Sequence, residues 1–354
     1  MAEPVKSPFF SLGRLRLLTQ LFMLALTVWG GALVGHYAAE KISNSLPALS
    51  CAYDQANGAY CVLIPLQHQM HHRVGELIQQ TGHFALAMLL PLLFTVLAFY
   101  VFYFFIGKAF CGWVCPLGTV QEWLHRLGRL LRRPFRSLPE AAAKRLRPVK
   151  WVLLLVLVLG LPLAAGLGVT PHATGDAFCQ VCPSRLATTL LTGDGEQAAI
   201  RTGGALDFAF GALANTLFGF ILIAGLAARQ PFCRVCPLLA VNATFQRLSP
   251  LRLVKAKHDK CEKCGICAQA CPMDIPEIWR ESGPKAFAED CTLCGRCAEF
   301  CPDDGVIQIK FGPAALFASS RRYYKARVKR ESPRGEIKTI RWLSPLSPRE
   351  RGRG

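Results

Sequence analysis

Cys261-Glu-Lys-Cys264-Gly-Ile-Cys267-Ala-Gln-Ala-Cys271-Pro272 and Cys291-Thr-Leu-Cys294-Gly-Arg-Cys297-Ala-Glu-Phe-Cys301-Pro302 are one pattern written twice. Each run reads C-x2-C-x2-C-x3-C-P. In this spacing three cysteines hold one [4Fe–4S] cube and the fourth crosses to the other. The crossing assigns Cys261, Cys264, Cys267 and Cys301 to one cube, and Cys291, Cys294, Cys297 and Cys271 to its neighbour. Zinc also accepts C-x2-C pairs. A zinc site needs only four ligands, however, and leaves the closing Cys-Pro unexplained. Residues 251–312 are therefore expected to form a small α+β module of the bacterial two-cluster ferredoxin kind.

Around that module the chain is apolar, with 52% hydrophobic and 18% charged residues in 354. Four runs contain no Lys, Arg, Asp or Glu: Leu17–Ala39, Phe84–Ile106, Val152–Val169 and Phe208–Ala228. A bilayer core about 30 Å thick needs roughly 20 such residues in a helix, with 17 tolerated. A core helix of a soluble protein would show a polar face, and these runs have none. Pro91 and Pro162 inside two of them are better tolerated in spanning helices than in soluble ones. The first run is longer than a signal-peptide core, and Tyr37 spoils a small-x-small cleavage pattern, so it reads as a retained anchor.

Orientation follows from the basic residues. Arg126–Lys150 carries nine of them against Glu140 alone, and Lys6, Arg14 and Arg16 precede the first run. The two other loops hold few. Positive residues stay on the cytoplasmic side, which puts both termini and the ferredoxin module in the cytoplasm of a bacterial inner-membrane protein. The expected fold is mainly α: a four-helix transmembrane bundle (1–250), a cytoplasmic two-[4Fe–4S] ferredoxin-like α+β domain (251–312), and a basic tail (313–354). The net charge of +18 belongs mostly to that asymmetry and to the tail. Juxtamembrane basic segments ordinarily meet anionic lipid, and no nucleic-acid recognition fold is visible.

The other eight cysteines repeat an order: span, outer pair, span, inner pair. Phe110-Cys111-Gly-Trp-Val-Cys115-Pro116-Leu117 follows the second run, and Phe232-Cys233-Arg-Val-Cys236-Pro237-Leu238 follows the fourth. Cys51 and Cys61 lie in the first outer loop, Cys179 and Cys182-Pro183 in the second. Parallel repeats are related by an axis along the membrane normal. That axis would gather Cys111, Cys115, Cys233 and Cys236 inside, and Cys51, Cys61, Cys179 and Cys182 outside, near opposite ends of the bilayer. The inner set is a candidate for a further iron–sulfur centre, with simple turn-shaping as the competing reading. For the outer set, disulfides compete with a metal centre. His36, His68, His71, His72, His83 and His172 also map outward. Of these, His36, His68, His72 and His172 are candidates for a haem or quinol site, while His71 reads as an ordinary interfacial residue. Covalent c-type haem lacks its C-x-x-C-His.

The motif Phe110–Gly118, a second Cys-Pro element after a later span and the two-cluster segment together resemble the NapH/NosR-type membrane polyferredoxins, with closest likeness to YccM-like members. The resemblance covers about Leu17 to Asp304. Cys233-Arg-Val-Cys236 departs from it, with two residues between its cysteines where the family usually has three. The resemblance implies electron transfer at a bacterial membrane between the quinone pool, cytoplasmic carriers and periplasmic redox partners. The residues themselves show no nucleotide-binding glycine fingerprint, no Walker motif and no nucleophile with a base, which disfavours a self-contained dehydrogenase. Besides an electron-transfer subunit, two readings stay open: a maturation factor reducing a periplasmic metal or disulfide, and a redox sensor.

Overall fold

The structure, a computed structural model, describes residues 11–34, 63–131 and 138–325, apart from 194, 201, 247, 257–260, 262–263 and 284–288. Most of it is helical. Among the described residues, three helices are long and apolar enough to cross a membrane: Leu12–Trp29, Glu140–Gly166 and Ala205–Ala227. The expected fourth span is shorter. A 3-10 turn, Leu86–Leu89, leads into a 17-residue helix, Leu90–Ile106. Pro91 sits in the first turn of that helix, where its missing N–H costs nothing.

Helix starts and apolar runs do not coincide. The first starts at Leu12, taking Arg14 and Arg16 into its opening turns. Arg16 is 2% exposed, and its charge is met by Glu122 at 3.0 Å. The third passes through a π stretch, Leu154–Gly160, before Pro162. A proline inside a helix removes a hydrogen bond and crowds the preceding turn. Widening that turn to a π-bulge relieves both.

Helix 63–81 lies along the third span, its π segment Gln69–Gly75 against Leu161–Gly166. A Cβ on Gly75 would come within 2.7 Å of the Gly166 Cα. The pair is glycine because the two backbones touch, as in small-residue helix contacts within membranes.

The ferredoxin module carries three antiparallel strands in the order β1 (Leu251–Lys255), β2 (Ile307–Phe311) and β3 (Ala314–Ala318). Leu253 pairs with Ile309, and both are buried. β3 carries the sheet past residue 312, the limit expected from the sequence. Tyr323 then donates its hydroxyl to Glu299 at 2.9 Å.

Cations from the membrane half hold this module. Arg16 donates to the Cys294 carbonyl at 2.9 Å, and Lys150 pairs with Glu289 at 2.8 Å and with Asp290. Arg147 bridges Glu277 and Asp290, both at 2.7 Å. Arg234 pairs with Asp274 at 2.6 Å and donates to the Met273 carbonyl at 2.8 Å. Burial alone would raise the Glu122 carboxyl, but Arg16, Arg296 and Arg126 outweigh it and hold it far below the carboxylate range. Glu122→Gln leaves the Arg16 guanidinium buried beside a neutral amide. Stranding one charge of a buried pair costs about 3–5 kcal/mol. The expected result is earlier proteolytic release of the ferredoxin module, read on gels against the parent chain.

Candidate metal centres

Within the ferredoxin module the chain folds its cysteines into two groups. Cys261, Cys264, Cys267 and Cys301 line one small cavity with Lys255, Trp279 and Asp303. Cys297 lies close to Cys294, Cys291 and Cys271, with Cys267 of the first group next nearest, and Cys271 in turn neighbours Cys294 and Cys291. Each group thus draws three sulfurs from one run and the fourth from the other. Burial pushes Cys267 up to about 12 and Cys291 up to about 11. Such thiols carry no stable negative charge on their own; a coordinated metal deprotonates them outright. Four thiols gathered in each group, in this spacing, are the donor set a [4Fe–4S] cube takes.

A larger cavity of about 70 Å³ lies in the membrane half. That is several times the 10–15 Å³ or so that one water needs. Cys111, Cys115, Cys179, Cys182, Cys233 and Cys236 all line it, with Phe110, Phe178 and Phe232. This departs from the expected separation of inner and outer sets. After the third span the chain turns at His172–Thr174, and the short helix Ala177–Val181 carries Cys179 and Cys182 back inward. Cys182 comes near enough to Cys236 to raise its pKa, after burial the next cause. Cys51, Cys61 and His36 lie outside the described residues.

Three of these cysteines share one local build. Cys115, Cys182 and Cys236 each precede a helix whose first residue is proline: Pro116–Leu130, Pro183–Leu191 and Pro237–Phe245. Their ψ angles of 119°, 123° and 124° turn the chain sharply into the helix. Proline at the first helical position has its φ preset and no donor to lose. The positive ends of three helices are thereby brought to one sulfur-lined space, a setting that favours thiolate. Burial works the other way, pushing Cys111 up to about 12. Lys108, itself buried and lowered to about 8 mainly by that burial, sits by both Cys291 and Cys111.

Two glutamines make the same pair of contacts, and Asn242 answers Gln121 across the internal repeat. Gln67 accepts from the Phe178 amide at 3.2 Å and donates to Cys179 Sγ at 2.9 Å. Gln121 accepts from the Phe232 amide at 3.0 Å and donates to Cys233 Sγ at 3.5 Å. Asn242 donates to Cys111 Sγ at 3.1 Å. Neither glutamine nor Asn242 was singled out by sequence reasoning. The signal was present: each glutamine precedes its Phe-Cys by the same 111 residues. Hydrogen bonds to sulfur raise cluster potentials. Gln121→Leu is expected to lower the potential of a centre held at Cys233 by about 40 mV, the equivalent of about 1 kcal/mol for one electron. Potentiometric EPR titration checks this.

The cavity and the ferredoxin module meet at Gly112. Its carbonyl accepts from Gln20 at 3.1 Å, and Trp113 donates to the Leu293 carbonyl at 3.0 Å. A Cβ at 112 would lie 2.5 Å from the Thr292 carbonyl oxygen. Only glycine allows this approach.

The histidines cluster on helix 63–81 and the turn after the third span. His68 and His72 meet edge to face at 5.5 Å, and His172 lies 4.6 Å from His71 and 5.9 Å from His72. His71, expected as a wet interfacial residue, is instead the buried one. Its ring packs into the bend at Gly175.

Comparison with known sequences adds the family. The family described as "4Fe-4S binding domain" matches residues 88–134 and again 210–255, and the "4Fe-4S dicluster domain" matches 253–311. The doubled match falls on the two span-plus-cysteine-pair units. The chain is 32% identical over 165 residues to the regulatory protein NosR of Pseudomonas aeruginosa, covering 46% of this chain and 20% of that one. It is 30% identical over 195 residues to the putative electron transport protein YccM of Escherichia coli, covering 54% and 47%. With the ferredoxin-type protein NapH of Haemophilus influenzae it shares 27% over 178 residues, 49% and 50% of the two chains. The chain thus spans a fifth of NosR and about half of YccM and NapH. No solved structure matches it. Doubled span-and-cysteine units, a dicluster module and these relatives together support the NapH/NosR-type membrane polyferredoxin family for this chain.

Proposed function

We propose that this chain relays electrons between carriers meeting a cytoplasmic ferredoxin module and the quinone pool or periplasmic redox partners of a bacterial inner membrane. One observation carries the reading. Cys297 neighbours both its own cysteine group and Cys267 of the other, Cys294 abuts Gly112, and Thr292 beside it lines the cavity that holds six more cysteines. Two cubes would be held by Cys261, Cys264, Cys267, Cys301 and by Cys291, Cys294, Cys297, Cys271. Cys111, Cys115, Cys233 and Cys236 would hold a further centre, with Cys179 and Cys182 supplying donors beside it. Iron–sulfur clusters supply one-electron transfer at potentials set by burial and by hydrogen bonds to sulfur.

The chain's own residues do the rest. Phe110, Phe178, Phe232 and Leu239 keep the cavity apolar. Gln67, Gln121 and Asn242 direct N–H groups at sulfur. Arg16, Arg147, Lys150 and Arg234 fix the ferredoxin module against the membrane half.

Anaerobically purified protein tests this. Two cubes give about eight irons per chain and a third gives about twelve. Menaquinol should reduce the centres in stopped flow. Full iron content with no reduction by menaquinol would remove the quinone from the relay. About four irons per chain would remove the cube assignment.

A further inference from the structure

Midway along helix 63–81, beyond the turn that meets the cysteine cavity, four side chains turn toward a common point. They are His71, His72, Glu76 and His172. One ligand atom from each lies within 4.8 Å of every other. His72 Nδ1 is 2.9 Å from Glu76 Oε1, and His71 Nε2 is 3.6 Å from the same oxygen. A tetrahedral ion with bonds of about 2.0–2.1 Å needs its donors about 3.3 Å apart. Small side-chain rotations close that difference. We propose that these four residues form a binding site for a first-row divalent transition-metal ion, distinct from the sulfur-lined sites.

Two features argue for a built site rather than a chance meeting of wet histidines. Neighbouring residues on a regular helix point about 100° apart, yet His71 and His72 stack with ring centroids 4.1 Å apart and planes 21° apart. The π segment Gln69–Gly75 brings them together, and π-bulges recur at functional sites. The seat of His71 is also shaped by glycine. A Cβ at 175 would fall 2.2 Å from His71 Nδ1, so the chain gives up a side chain to admit the ring.

The donor chemistry selects the class. Three imidazoles and a carboxylate suit zinc, copper, nickel or ferrous iron, whereas calcium and magnesium prefer oxygen alone. A haem held between two imidazoles would need a macrocycle's thickness between rings, and His71 and His72 are stacked on each other. His172 is exposed, which leaves the ion an entry from solvent. One turn before His71, Gln67 donates to Cys179 Sγ at 2.9 Å, so a single helix ties this site to the cavity.

The test titrates Co²⁺ into the detergent-solubilised full chain, carrying its clusters and no polyhistidine tag. Cobalt replaces zinc and reports its donors by colour. The expected result is about one Co²⁺ per chain with d–d bands and no sulfur charge-transfer band. His172→Ala and Glu76→Gln should each weaken binding at least about tenfold. Gly175→Ala removes no donor, yet should weaken it similarly by displacing His71. His83→Ala should change nothing. Unchanged cobalt affinity in His172→Ala, an exposed position whose loss leaves the fold and iron content intact, would overturn the site. So would a thiolate charge-transfer band on the first equivalent of cobalt.

Discussion

Cys294→Ser is expected to lose about four irons per chain and nearly all electron exchange with the ferredoxin module. A serine hydroxyl is a poor iron ligand where thiolate is needed. The effect reaches beyond the missing bond. Cys294 sits at the docking seam, where its carbonyl accepts from the buried Arg16. Folding and metal binding are linked in small metal-supported modules, so losing one cube should also loosen the seam. Cys264→Ser removes the other cube but lies away from the seam, and should leave docking intact. Iron analysis and EPR of both variants, prepared anaerobically, distinguish the outcomes. Two-cluster signals retained in either variant would contradict the ligand assignment.

Gly112→Val should separate the two halves without touching any cysteine. Even a methyl group at 112 would stand 2.5 Å from the Thr292 oxygen and 3.1 Å from the Cys294 Cα. Both are backbone atoms that cannot rotate away. The loop Cys291–Cys294 must withdraw, lengthening the path to Cys111. Misplacement by about 1 Å can cost up to a hundredfold where rate depends on position. Tunnelling is at least as steep in distance. The expected outcome is full iron content with cluster-to-cluster transfer slowed by on the order of tenfold or more. Flash reduction followed optically would show it. An unchanged rate in the iron-replete variant would mean that the cavity lies off the route.

The ferredoxin module was legible because its chemistry is local. Residue spacing alone raises the expectation of a crossing fourth cysteine, and Cys301 lines one cavity with Cys261, Cys264 and Cys267. The apolar runs were legible for the same reason, and Ala205–Ala227 follows its run within a few residues. What could not be read was depth. Cys179 and Cys182 follow a span and precede another, which by composition alone puts them in an outer loop. Their return toward Cys236 depends on Gln67 anchoring Phe178 from a distant helix. Hydropathy windows do not register a partner 111 residues away. The π segments were equally hidden, since their sequences satisfy an ordinary helix. His71 was misjudged for that reason: regular helical spacing turns it away from His72, and the π stretch turns it back. Arg16 and Lys150 read as topological signals, yet both are spent on acids and carbonyls of the ferredoxin module.

The walls of the sulfur-lined cavity have a consequence for biogenesis. They come from Leu63, Phe110–Leu117, Phe178–Ser184, Phe232–Leu239 and Thr292. A nascent chain still short of Thr292 lacks part of that enclosure, whatever fraction of its helices has already entered the bilayer. Donors made early must wait, as reduced thiols, for donors made late. A centre held in this space would therefore gain its full enclosure only late in synthesis, after Thr292 is made. Until then its thiols would have to stay unoxidised.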